Sequence, residues 1–153
     1  MRPSASTLIL FALSGIAAAA FAGVVGALLT AVAVIGPAGV LSGLIFVAAG
    51  AVQAIPWAAI PAMLVGGTLW SLGGARPRLR RRWPWAAAGA LTGLAFLPFP
   101  WPAMVDDVLR AGGLRAPSTW VPLVFALAGA AGALAFRATM QLLSLFAADD
   151  ADA

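Results

Sequence analysis

The hydrophobic positions of this chain fall into long runs almost free of charge, separated by a few short polar or proline-rich stretches. Residues 8–35 contain no charged side chain and would extend about 42 Å as a helix. A bilayer's hydrocarbon core is roughly 30 Å thick, so this run predicts a membrane-crossing helix with tilt or a turn to spare. Gly36-Pro37-Ala38-Gly39 reads as a turn. The next uncharged run, residues 40–74, would be about 50 Å long if straight. Pro56 and Pro61 interrupt it, each lacking an amide donor and crowding the carbonyl four residues earlier, on Val52 and Trp57. The predicted element is one tilted, proline-kinked helix over 40–73. A competing reading divides it into short spans at 38–54 and 57–72, although Ala and Ile make a poor turn between them.

A third, shorter run covers 84–97, with Pro84 suited to a helix start. The alternating prolines of Pro98-Phe99-Pro100-Trp101-Pro102 cannot continue it. Residues 103–111 interleave Met104, Val105, Val108 and Leu109 with Asp106, Asp107 and Arg110, the pattern of a short amphipathic surface helix. Ser118 or Thr119 then serves as N-cap for a last run over 120–146, and 147–153 form an acidic tail. Arg2, the apolar start of the first run and Ala20-Phe21-Ala22 also match a signal-peptide pattern, but the sequence stays apolar beyond them, as an anchor would.

Charge orients these elements. Five of the nine basic residues, Arg76, Arg78, Arg80, Arg81 and Arg82, lie in the loop 76–82. Placing it in the cytoplasm satisfies the positive-inside rule. With four spans, seven cations (these five, Arg2 and Arg137) lie inside and two, Arg110 and Arg115, outside. Both termini are then cytoplasmic. Five spans move Arg2 outside and leave six against three, which also obeys the rule. Trp70, Trp83 and Trp85 flank the loop, while Trp101 and Trp120 mark the opposite interface. Arg137, about 25 Å along the last helix from Trp120, is placed to snorkel to the cytoplasmic side.

Composition agrees with lipid as the main solvent: the chain of 153 residues is 63% hydrophobic and 9% charged, against roughly 45–50% and 25% in soluble domains. It contains no Cys, His, Tyr, Lys, Glu or Asn. Disulfides, thiolate or imidazole metal sites and a His general base are therefore absent, and no cofactor or metal is expected. Asp106 and Asp107 are adjacent, so on a helix they diverge by about 100° and do not share a metal or proton. Arg-only, Ala/Gly-rich usage fits a GC-rich bacterial genome, and hence a bacterial inner membrane.

Three features are candidates for function. The arginine loop could contact lipid head groups as well as fix topology, whereas nucleic acid is not expected because no element presents it to a groove. Small residues at helical spacing, Gly39-xxx-Gly43 and Gly89-xxx-Gly93, with relaxed versions at Gly15-xxx-Ala19-xxx-Gly23, Ala62-xxx-Gly66 and Ala128-xxx-Gly132, permit close helix packing, as does Gly129. They serve intramolecular packing first and a homo-oligomer or membrane-protein partner second. Gln53 stands beside the Pro56 and Pro61 break and either satisfies a freed carbonyl or lines a polar cavity. The remaining Ser and Thr hydroxyls can bond to their own helices.

The segments Ile60-Pro61-Ala62-Met63-Leu64-Val65-Gly66-Gly67, the arginine loop, Trp85-Ala86-Ala87-Ala88-Gly89-Ala90-Leu91-Thr92-Gly93 and 127–137 together resemble uncharacterised four-span bacterial inner-membrane proteins. That resemblance implies four spans and no activity. Small multidrug-resistance exporters, with their membrane Glu, and fluoride channels, with their Asn-containing motifs, fit worse. The expectation is an all-α integral membrane protein: a four-helix transmembrane bundle, N-in and C-in, forming a single domain over 1–153. Its expected role is structural, accessory or in assembly, and non-enzymatic. A transporter or channel for a small neutral or hydrophobic solute, gated at the proline break, is the alternative, and a membrane-embedded enzyme the third.

Overall fold

The computed structural model describes residues 5–35, 44–98 and 120–149, and these are helical except at 76, 81 and 96–98. Four helices follow in order: α1 (Ala5–Ile35), α2 (Leu44–Ala75), α3 (Arg82–Ala95) and α4 (Trp120–Asp149), with a short 3₁₀ turn at Pro77–Arg80 between α2 and α3. Three of them contain segments long and apolar enough to cross a membrane: Leu8–Ala33, Ala54–Gly73 and Trp120–Ser144. Helix α3 has 14 residues, about 21 Å, which is short of a full hydrocarbon core.

The helix boundaries have local causes. α3 starts at Arg82 and places Pro84 at its third position, where an amide has no intrahelical acceptor in any case. At its end the Phe96 and Leu97 amides donate to Gly93 and Leu94, 3.0 and 3.1 Å, tightening the last turn. α2 runs unbroken through Pro56 and Pro61, so residues 53–56 are helical and not a turn between two spans. Proline within a helix is tolerated in lipid when neighbouring groups take up the freed backbone. The hydroxyls of Ser14, Thr30, Thr68, Ser71, Thr92 and Thr139 each donate to the carbonyl four residues earlier, at 2.7–2.9 Å. No buried polar side-chain atom among the described residues lacks a partner.

Contacts between the helices fix their directions. Gly15 of α1 lies against Met63 and Ala59 of α2, and Gly67 against Phe11. Gly26 faces Ala128 of α4, while Gly132 faces Ala18 and Ala22. Gly93 of α3 lies against Phe125, and Gly89 against Gly129 and Ala133. Each of these pairs ascends in one helix as it descends in the other, so the four helices run up, down, up and down. α1 packs along both α2 and α4, and α3 packs along α4, whereas α2 touches α3 and α4 more lightly.

Phe136 closes the gap that this arrangement leaves. It is fully buried and its ring contacts all three other helices. It meets Phe11 of α1 edge-on at 5.4 Å between centroids and 81°. It stacks on Trp85 of α3 at 6.3 Å and 21°. On α2, a Cβ at Gly66 would fall 2.6 Å from Phe136 Cδ1, so only glycine lets the ring seat there. Because lipid is as apolar as the ring, truncation forfeits packing rather than transfer energy. Phe136→Ala should therefore destabilise the bundle by roughly 2 kcal/mol, the cavity term alone. Phe136→Leu should cost about half as much. Reversible unfolding in mixed detergent micelles measures both, and equal stability of Phe136→Ala and wild type would refute the central role of the ring.

Candidate functional site

Two places in the bundle concentrate what the sequence singles out: the glycine crossing of α3 and α4, and the basic turn above it. At the crossing the backbones are in contact. A Cβ on Gly89 would run into the Gly129 carbonyl and lie 2.6 Å from Ala133 Cβ. One on Gly129 would in turn run into the Gly89 carbonyl oxygen and lie 3.0 Å from the Gly93 Cα. One on Gly93 would strike the Phe125 carbonyl oxygen, with its carbon at 2.8 Å. The obstacles are backbone, which cannot rotate away as a side chain can. Gly89, Gly93 and Gly129 thus share one contact. Gly132 lies on a different face of α4, where its Cβ would be 3.0 Å from Ala22 Cβ and 3.1 Å from the Ala18 carbonyl oxygen.

The basic turn sits at the end of the bundle where α1 begins, α2 ends, α3 begins and α4 ends. Arg76 (φ −128°, ψ 102°) is extended, while its amide still donates to the Leu72 carbonyl at 2.9 Å. Leu79 N–H bonds to Arg76 and Arg81 N–H to Arg78, closing the 3₁₀ turn at 3.0 and 3.3 Å. The turn is anchored from below: the indole Nε1–H of Trp85 donates to the Leu79 carbonyl at 2.8 Å, and the same indole stacks on Phe136. The side chains of Arg76, Arg78, Arg81 and Arg82 are exposed. Arg80 belongs to the same turn. Arg137, half-buried, follows Phe136 directly and so lies level with the first turns of α3.

Beside the turn, a shallow apolar groove of about 450 Å³ opens between α1 and α2. Two rows of α2 line it, Met63–Gly67–Ser71 and Leu64–Thr68–Leu72, together with Phe11. Its two hydroxyls are already committed, Thr68 to the Leu64 carbonyl at 2.7 Å and Ser71 to that of Gly67 at 2.8 Å.

Other sequence candidates do not join these places. Gly39 and Gly43 lie outside the described residues, as do the 98–118 loop beyond Pro98, with Asp106 and Asp107, and the cap at Ser118 or Thr119. Gln53 lies within α2, and its side chain is outside the described residues. Pro56 is exposed on α2 between Val52 and Trp57, themselves 68% and 61% exposed, and Pro61 is half-buried. Among the described residues no group of three metal-ligating side chains occurs.

Phe136, Trp85, Phe11 and Gly66 carry the junction, and hydrophobic patterning alone does not single them out. Trp85, grouped with the interfacial tryptophans by its place next to the arginines, is 2% exposed, whereas Trp83 is 66% exposed. A signal existed: residues two apart on a helix point about 200° apart, so Trp83 and Trp85 lie on nearly opposite sides of α3. Comparison of the chain with protein-family models, with curated proteins and with solved structures yields no match.

The glycine contacts generate a direct test. Gly93→Leu should lower stability in detergent by about 1–3 kcal/mol or more, as overpacking against backbone requires the helices to separate. Gly73 supplies the control, because a Cβ there meets nothing within 4 Å. Gly73→Ala should leave stability unchanged or raise it by up to about 1 kcal/mol through helix propensity. Thermal unfolding of the two variants side by side decides the matter, and unchanged stability of Gly93→Leu would count against the crossing.

Proposed function

We propose that this protein is a small integral membrane bundle with a structural, accessory or assembly role, in which α3 is a short fourth span and both termini share the cytoplasm with the arginine turn. The observation that carries this reading is the glycine-to-backbone contact of α3 with α4. A helix of only about 21 Å is held along an apolar partner by close approach, which is the packing mode of helices in lipid. A short hydrophobic stretch is accommodated by local bilayer thinning or by its flanking residues, and the sequence beyond Leu97 is a proline- and aromatic-rich exit suited to an interface. The four-fold alternation of helix direction and the charge of the turn support N-in and C-in. A continuous α2, with Pro56 on an exposed face, gives no support to a gate at that position.

The chain has no cysteine, so single substitutions report cleanly on sidedness. Arg78→Cys should react with a membrane-impermeant maleimide only after cells are opened, and Ala111→Cys should react in intact cells. Labelling of both from the same side would show that α3 does not cross. The role itself is read by native electrophoresis in mild detergent, where the protein should migrate in an assembly well above its own 15.4 kDa. Migration as a lone monomer, together with glycerol flux in proteoliposomes, would transfer the assignment to a solute pathway.

A further inference from the structure

The groove between α1 and α2 ends at Leu72, one helical turn short of Arg76, and we propose that groove and arginine turn together bind a single anionic glycerophospholipid. The inference rests on the membrane placement proposed above and goes beyond it by assigning a ligand class to a defined surface. One lining row of α2, Leu64–Thr68–Leu72, has the i, i+4 spacing that stacks side chains on one helix face. Continued by four residues, the row reaches Arg76, whose amide remains bonded to the Leu72 carbonyl. The row therefore leads from an apolar wall to a cation over about 18 Å of helix axis.

Each part of the surface fits part of such a lipid. The Phe11 ring rests against Gly67, in the place a Cβ would take, and lines the groove together with Met63, Leu64 and Leu72. Leu64 and Leu72 are 67% and 42% exposed, so the bundle leaves this wall uncovered. Since the Thr68 and Ser71 hydroxyls are committed to their own helix, the wall offers no unpaired donor and is chemically suited to an acyl chain. At its head Arg76 and Arg78 are exposed. Guanidinium groups match phosphate with bidentate hydrogen bonds. The net charge of +4 selects an anionic head group over a zwitterionic one.

Native mass spectrometry of the detergent-purified full chain, titrated with phosphatidylglycerol or phosphatidylcholine of identical acyl chains, tests the site. One phosphatidylglycerol should be retained with at least about tenfold preference. Arg76→Gln/Arg78→Gln should reduce that preference to below about threefold, since each arginine near a membrane surface contributes on the order of fivefold. Thr68→Phe, or Ser71→Phe should the first fold poorly, fills the exposed groove without touching the bundle interior. Either should weaken long-chain phosphatidylglycerol about fivefold or more and leave a six-carbon-chain analogue unaffected. Equal retention of the two lipids, persistence of the preference in the double arginine variant, or indifference of long-chain binding to both groove variants would each overturn the proposal. Resistance of the protein to alkaline extraction from membranes reads the membrane placement separately, so the failure of one is not mistaken for the failure of the other.

Discussion

Helices in lipid cannot be held together by removing apolar surface from water, because the surrounding acyl chains are as apolar as leucine. What remains is dispersion, which is lost over fractions of an ångström of separation. Everything in this bundle follows from finding places where backbones can touch. Helix α3 shows the constraint most sharply, since its 14 residues offer the least length along which to gather contacts. The reciprocal seating of Gly89 and Gly129, with Gly93 on the Phe125 carbonyl, brings its backbone against that of α4 with no room for a Cβ between them. The longer α1 reaches α4 with alanines as well as glycines: Gly26 meets Ala128 at an ordinary packing distance, whereas a Cβ on Gly132 would lie only 3.0 Å from Ala22 Cβ and 3.1 Å from the Ala18 carbonyl oxygen.

Close pairwise contacts cannot be satisfied among four helices at once. With α3 drawn onto α4 and α1 lying between α4 and α2, the α2 side of α3 and α4 is left only lightly contacted. Phe136 occupies that space, and glycine at Gly66 is the complement of its ring. The same ring sets the position of the charged turn, because the Trp85 indole that stacks on it has one polar atom to satisfy in a buried setting. That atom finds the Leu79 carbonyl, in the middle of the 3₁₀ turn. The arginines are therefore held at a fixed height above the aromatic junction by a stack and one hydrogen bond.

The helical character of the chain, and three segments able to cross a membrane, were legible from the uncharged runs, because length and apolarity are local properties. The boundary of α3 was legible to within two residues for the same reason, with proline at one end and alternating prolines at the other. Helix α2 was legible as a single element because Ala and Ile between its halves make no turn. The role of Phe136 was not, since nothing in a run of Ala, Gly, Leu and Phe distinguishes the phenylalanine facing three helices from those facing lipid. Mean apolarity without amphipathic contrast removes the periodic signal that would reveal an inward face in a soluble protein. The glycine pattern identified positions able to approach a neighbour, but not which neighbour: Gly129 meets α3 and Gly132, three residues on, meets α1.

The polar groups explain why shape alone selects these pairings. Each described serine and threonine hydroxyl donates to a carbonyl of its own helix, including the fully buried Ser14, bonded to Leu10 at 2.9 Å. Such groups are satisfied before the helices meet and contribute nothing directional between them. Trp85 to Leu79 joins two neighbouring elements of the chain and not two helices. Register must then come from size: a ring opposite a glycine, or a carbonyl opposite a missing Cβ. Exchanging threonine for valine on these faces leaves that code intact, whereas adding one carbon to Gly89, Gly93 or Gly129 rewrites it.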